Sequence, residues 1–251
     1  SAVDLDAVDY LTNPVRRERL QQALAKAQRA APANLGLTPA ATQAPGEALL
    51  IQDRGRTERV RFDGRAPLLE LLEQGQGAII ITAHMGCIEL CQAIAKQRTN
   101  LRLNILVHTK HAEQFNRLLQ RLAPDSGVRL LQVSDFSAAT ALLLAERVAQ
   151  GEFIAIAGDR VPVHDSKTTQ AQFLGHEAAF PCGPYVLAAV LKCPLYFMGC
   201  VHEGRDYAVE FVPIATEVQL PRSRRNEALA AYAQQYAQQL ERLLCKAPYD
   251  W

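Results

Sequence analysis

The sequence predicts an α/β fold, with a mixed, mostly parallel central sheet, helices on both faces and an N-terminal helical appendage. Three observations carry that expectation. Between residues 77 and 191, apolar runs of strand length alternate with helix-length segments, which implies crossover connections and parallel pairing. Two of the runs, residues 77–82 (Gly-Ala-Ile-Ile-Ile-Thr) and 152–157, are apolar at nearly every position, the pattern of a strand covered on both faces. Residues 194–201 and 207–212 then follow one another as strands with no helix between them, so they form an antiparallel hairpin and the sheet is mixed.

In chain order, Asn13-Pro14 followed by residues 15–31 reads as one amphipathic helix with Pro near its first turn. Residues 31–46 are rich in Ala, Pro, Thr and Gly and read as an arm. The expected division is a helix and arm over residues 1–46 and a catalytic-size domain over 47–251. Residues 48–52 and 57–62 are short strands around Asp53-Arg54-Gly55, and 67–74 a short helix. After strand 77–82 come helix 86–96, strand 101–107, helix 112–122 and strand 128–133. Helix 138–150 stops at Gly151, a residue suited to the left-handed turn that ends a helix. Strand 152–157, helix 185–191, the hairpin and a long helix over 227–245 complete the chain.

Composition narrows the function classes. The chain has 251 residues, 49% hydrophobic and 21% charged, with 27 Lys plus Arg against 26 Asp plus Glu. That near-neutral balance excludes a nucleic-acid binder working by bulk charge. No uninterrupted apolar stretch approaches the ~18 residues of a transmembrane helix, and the first residues show no basic segment followed by an apolar one, as a secretory signal would. Six cysteines are too few for a disulfide scaffold and read as reduced thiols. His84, Cys87 and Cys91 form H-x2-C-x3-C, but no second Cys or His pair follows at structural-zinc spacing, so no metal is expected. The nucleophile elbow G-x-S-x-G, the phosphate loop G-x4-G-K-[ST] and H-E-x-x-H are all missing.

What remains is Ile79-Ile-Ile-Thr-Ala-His84-Met-Gly-Cys-Ile-Glu89, a buried strand running straight into a helix. Ligands of α/β sheets bind beyond the carboxyl ends of the strands, so His84 faces the crevice. The positive end of a helix dipole favours neutral imidazole, the form a general base needs. Glu89 is five residues on. On an ideal helix that is ~500°, placing the two ~140° apart, so they pair only if His84 lies in the turn before the helix and folds back. A capping histidine with an unrelated surface Glu fits the same residues.

His84-Met85-Gly86-Cys87-Ile88-Glu89 resembles the H-x4-D/E motif of the lysophospholipid acyltransferase superfamily, closest to the branch with the bacterial lipid A late acyltransferases. Further blocks agree in order. Ala157-Gly158-Asp159-Arg160-Val161-Pro162 follows a strand. Phe173-Leu174-Gly175 leads to Ala178-Ala179-Phe180-Pro181-Cys182-Gly183-Pro184, similar to an F-x-G-x-x-A-x-x-P-x-G-P block. Cys193-Pro194-Leu195 resembles a P-V segment, with Leu in place of Val, and Ala247-Pro248-Tyr249-Asp250-Trp251 resembles the aromatic tail of a predicted-acyltransferase subgroup. The resemblance spans about residues 64–251. It implies transfer of an acyl group from an acyl thioester, on acyl-carrier protein or coenzyme A, to a hydroxyl or amine of a lipid-like acceptor. His84 would be the general base and Glu89 its orienting partner, with no cofactor, no nucleic acid and no acyl-enzyme. The protein would work peripherally on the cytoplasmic face of the bacterial inner membrane. A thioesterase using the same dyad on water, or a non-catalytic lipid- or carrier-binding module, are the alternatives.

Around this pair, Arg160 is expected to grip a substrate phosphate or carboxylate. Asp159 beside it falls in the same substrate-binding group, holding Arg160 or the turn. Phe180, Pro181 and Gly183 open a helix whose first N–H groups would polarise an oxygen. Cys182 in that turn keeps a Cys–His acyl-enzyme as a minor alternative. By the resemblance, Asn104, His108, Lys110 and Asn116 line the acceptor side. Arg222, Arg224 and Arg225 form a basic cluster that would suit an acidic carrier or anionic headgroups.

Overall fold

The computed structural model describes residues 49–53, 56–85, 101–107, 127–132, 137–161, 167–204 and 206–250. The predicted N-terminal helix and arm, and the predicted helices over 86–96 and 112–122, lie outside these residues. The chain divides into two units, Ser1–Gln43 with Leu50–Glu58, and Ala44–Leu49 with Arg59–Trp251. The described part of the first unit is strand, in β1 (Leu49–Asp53) and the start of β2 (Arg56–Asp63).

In the second unit the elements follow as α1 (Ala66–Glu73), β3 (Ile79–Thr82), β4 (Leu103–Val107), β5 (Val128–Gln132), α2 (Ala138–Ala149) and β6 (Phe153–Ala157). Next come β7 (Thr168–Phe173), β8 (His176–Pro181), α3 (Gly183–Leu191), β9 (Leu195–Glu203), β10 (Asp206–Ala215), a 3₁₀ turn at Arg222–Arg224 and α4 (Arg225–Lys246). The sheet runs β2-β10-β9-β3-β6-β4-β5. Every pairing in it is parallel except the β9–β10 hairpin. This is the expected α/β fold with its mixed, mostly parallel sheet. The β7–β8 hairpin is a second, two-stranded sheet that the sequence reading did not anticipate.

The sequence logic of the centre is plain. Ile79, Ile80 and Ile81 in β3 and Phe153, Ile154 and Ile156 in β6 are all buried, as strands flanked on both sides and covered on both faces must be. Their register pairs Ile79 with Ile154 and Thr82 with Ala157. On the other side β3 pairs Ile79 with Leu195 and Ile81 with Phe197. Helix α4 packs on β9 and β7. It lies so close that a Cβ on Gly199 would stand 2.0 Å from Leu243 Cδ1, so a glycine is required there. No described helix is long and apolar enough to cross a membrane.

At the amino edge of the parallel strands sits a buried polar knot. Glu152, only 3% exposed at its side chain, accepts from Asn104 Nδ2 at 2.8 Å and from Arg147 at 3.0 Å, with Arg102 at 3.5 Å. Arg147 also donates to Asn104 Oδ1 at 3.1 Å. Burial alone would raise the Glu152 carboxyl, but the bonds from Asn104 and Arg147 outweigh it and hold the group below its usual range near 4.5. A carboxyl depressed in the folded state stabilises fully above the unfolded range and loses that contribution as pH falls through the folded value. Removing one partner of a buried pair costs about 3–5 kcal/mol. E152Q is therefore expected to be less stable than the native chain by about 3 kcal/mol at pH 7, with Arg147 deprived of the carboxylate it pairs with. Urea unfolding at pH 7 and pH 3.5 checks this, and the difference between the two proteins should shrink at the lower pH.

Candidate active site

β3 ends at Thr82, and His84 stands two residues beyond it, at the carboxyl edge of the sheet. β6 is the adjacent parallel strand, so its own exit, Gly158-Asp159-Arg160, emerges at the same edge. The two exits meet through one carboxylate. The His84 backbone N–H donates to Asp159 Oδ2 at 3.1 Å, and His84 Nδ1 lies 3.0 Å from Oδ1 and 3.1 Å from Oδ2. Asp159 is 2% exposed at its side chain and His84 45%. A carboxylate only accepts, so Nδ1 carries the ring proton. Nε2 of the neutral ring then keeps its lone pair, on a side chain open to solvent. The main-chain bond fixes where the residue begins and the ring bond fixes how the imidazole is turned.

The glycine ahead of Asp159 makes this approach possible. A Cβ on Gly158 would fall 2.5 Å from Ile81 Cδ1, so a side chain there would force Ile81 to shift just where the clamp forms.

The other predicted site residues separate into distinct groups. Arg160 is exposed at the same edge, free to meet an anion, and among the described residues no acid pairs with it. Asp159 corrects the expectation attached to it, because its oxygens are turned on His84 and not on Arg160 or an open substrate surface. Glu89 lies outside the described residues. His108, Lys110 and Asn116 also lie outside them.

Asn104 is a second correction. It is 1% exposed, second in β4, at the amino edge of the sheet, with its amide engaged by Glu152, Arg147 and the Phe153 carbonyl. It faces the polar knot, away from the carboxyl edge. Phe180 is a third. It closes β8 at 3% exposure, with its ring edge-on to Phe173 at 5.8 Å and to Tyr236 at 5.9 Å. Pro181 is buried beside it, so both are packing that stands behind a site and not a surface that touches a ligand. Gly183 begins α3 and is partly exposed.

Cys182 is 4% exposed, and burial pushes its thiol up from the ordinary cysteine range, with Arg225 and Lys167 only partly offsetting that effect. That is the opposite of the shift that activates a cysteine nucleophile.

The family model described as "Bacterial lipid A biosynthesis acyltransferase" matches residues 35–251. The chain belongs to this family. No individual curated protein matches it. Membership brings acyl transfer to a lipid-like acceptor as the family's chemistry, and the match spans both strand exits, with His84 and Asp159. Sequence reasoning saw the Gly-Asp-Arg block and the histidine separately. Their pairing across 75 positions has no local signal, because it depends on β6 lying next to β3 while β4 and β5 lie beyond.

If Asn104 serves the polar knot alone, Asn104→Ala should lower stability by about 1–3 kcal/mol, the cost of leaving buried partners unsatisfied. Acyl-transfer kcat and KM should stay within about twofold when assayed well below the melting temperature. Thermal unfolding paired with steady-state kinetics checks both halves, and a raised KM would return Asn104 to the substrate.

Proposed function

We propose that this protein transfers a fatty acyl or related acyl group from an acyl thioester, carried on acyl-carrier protein or coenzyme A, to a hydroxyl or amine of a lipid-like acceptor, with His84 as the general base. The observation that carries the reading is the clamp itself, an exposed imidazole at a strand exit whose Nδ1 and main-chain N–H are both held by the buried Asp159 carboxylate.

In this mechanism Nε2 takes the proton of the acceptor hydroxyl as its oxygen attacks the thioester carbonyl. The carbon–sulfur bond of the resulting tetrahedral species then breaks, and the departing sulfur takes the proton back from the imidazolium. Asp159 keeps the ring in one tautomer and orientation and stabilises the imidazolium while it exists. The Gly183 N–H at the start of α3 suits the developing oxyanion, Pro184 after it having none, and Arg160 suits a phosphate or carboxylate on donor or acceptor. The unactivated state of Cys182 supports direct transfer over an acyl-enzyme. A lipid acceptor calls for work at a membrane surface. We propose that the protein works there peripherally, from the cytoplasmic side.

His84→Ala is expected to lower kcat by about 10²–10⁴-fold, the usual worth of a general base, with the melting temperature little changed. Asp159→Asn should fall in the same range, and the double variant should be no slower than His84→Ala, because the two residues act as one unit. Glu89→Ala should cost no more than His84→Ala. Product formation from a radiolabelled acyl thioester measures all four. Mass spectrometry after incubation with donor alone should find no acyl adduct, and a stable adduct on Cys182 would replace direct transfer with a covalent mechanism.

A further inference from the structure

The hydroxyl of Tyr236, in the middle of α4, donates to the carbonyl oxygen of Thr82 at 2.9 Å. The same carbonyl accepts the backbone N–H of Gly158 at 2.9 Å. Thr82 is the last residue of β3, two before His84, and Gly158 immediately precedes Asp159. A single oxygen therefore ties together the exits of both strands and a helix 154 residues further along the chain.

The phenol is built for that place. Tyr236 is 0% exposed, with its ring edge-on to Phe197 at 5.7 Å and Phe180 at 5.9 Å. A Cβ on Gly158 would come 3.2 Å from Tyr236 Cζ, so the ring rests directly against the turn that presents Asp159. Burial, and after it the nearby Asp159 carboxylate, holds the hydroxyl far above its ordinary range, so it remains a donor at any working pH. For packing alone a phenylalanine would fill the same space without a hydroxyl to desolvate. The hydroxyl's partner is the main chain that carries the imidazole.

We infer that Tyr236 is a positioning residue for the reaction, its hydroxyl pinning the shared Thr82 carbonyl so that the β3 and β6 exits hold His84 and Asp159 in bonding register. This rests on the reading of His84 as the base.

Tyr236→Phe in the full chain keeps the ring and removes the pin. Misplacing a reacting group by about 1 Å can cost as much as 10²-fold, so kcat is expected to fall about 10- to 100-fold, with KM within about twofold and the pH profile of kcat displaced. The double variant Tyr236→Phe/Asp159→Asn should be no slower than Asp159→Asn alone, since the pin acts through the clamp. A readout independent of substrate is the downfield proton resonance of the His84 Nδ1–H bonded to Asp159, assigned by its loss in His84→Ala. It should shift or broaden in Tyr236→Phe. Phe197→Leu, which loosens the same packing without touching the hydroxyl, controls for stability and should leave kcat and the resonance as in the native chain. Gly158→Ala, which disturbs the pin from the β6 side, is the second variant should Tyr236→Phe not fold, and it should reproduce both effects. Unchanged kcat, pH profile and resonance in Tyr236→Phe would overturn the positioning role. So would an equal loss of kcat in Phe197→Leu at matched melting temperature. Native activity in His84→Ala would instead remove the base reading itself, a result distinct from the failure of Tyr236 alone.

Discussion

One carboxylate holds the candidate site together. Asp159 accepts from the His84 main chain and lies within bonding distance of its ring, and it does so from the exit of a different strand. Everything around the pair serves that contact. β3 and β6 must be neighbours and parallel, so that both exits leave the same edge of the sheet. Residue 158 must lack a side chain, so that Ile81 and the turn can approach. The carboxylate is almost wholly buried while the imidazole is nearly half exposed. The orientation of the ring therefore comes from inside the protein.

The parallel strands carry polar machinery at both ends and hydrocarbon between. At the amino edge Glu152 gathers Asn104, Arg147 and Arg102. At the carboxyl edge Asp159 gathers His84. Each is a buried acid tying β6 to another segment, yet their consequences differ. The Glu152 knot binds a buried carboxylate to Asn104 and Arg147 and spans β4, the end of α2 and the start of β6, which makes it an anchor. The Asp159 clamp holds an imidazole that is itself nearly half exposed, which makes it the candidate for chemistry. Burial separates the two roles where residue type alone does not.

The same distinction bears on the thiol. Cys182 precedes the first residue of a helix, a place where a cysteine can be acidified, but at 4% exposure the cost of burying a thiolate exceeds what Arg225 and Lys167 return. Phe180 and Pro181, in the same block, pack inward against the ring of Tyr236 and its surroundings. From Phe180 to Pro184 the partly exposed residue is Gly183.

Much of the fold was legible in the chain itself. Apolar runs of strand length over residues 77–82 and 152–157 became β3 and β6, and residues 194–201 and 207–212 became the antiparallel pair β9 and β10, because periodicity and turn residues act locally. The β7–β8 hairpin escaped because Thr168–Phe173 alternates polar and apolar residues only weakly, and its burial comes from α4. His84 was legible as a histidine just beyond a buried strand. Its partner was not, because the nearest acid along the chain, Glu89, competes on paper with one 75 residues away, and only strand order brings the distant one within 3.0 Å. Asn104 read as a loop-side polar group for the same reason. Its place in β4 is local information, but that its amide meets a buried Glu152 depends on β4 lying beside β6. Local chemistry determined which residues could act. The order of strands in the sheet decided which of them meet.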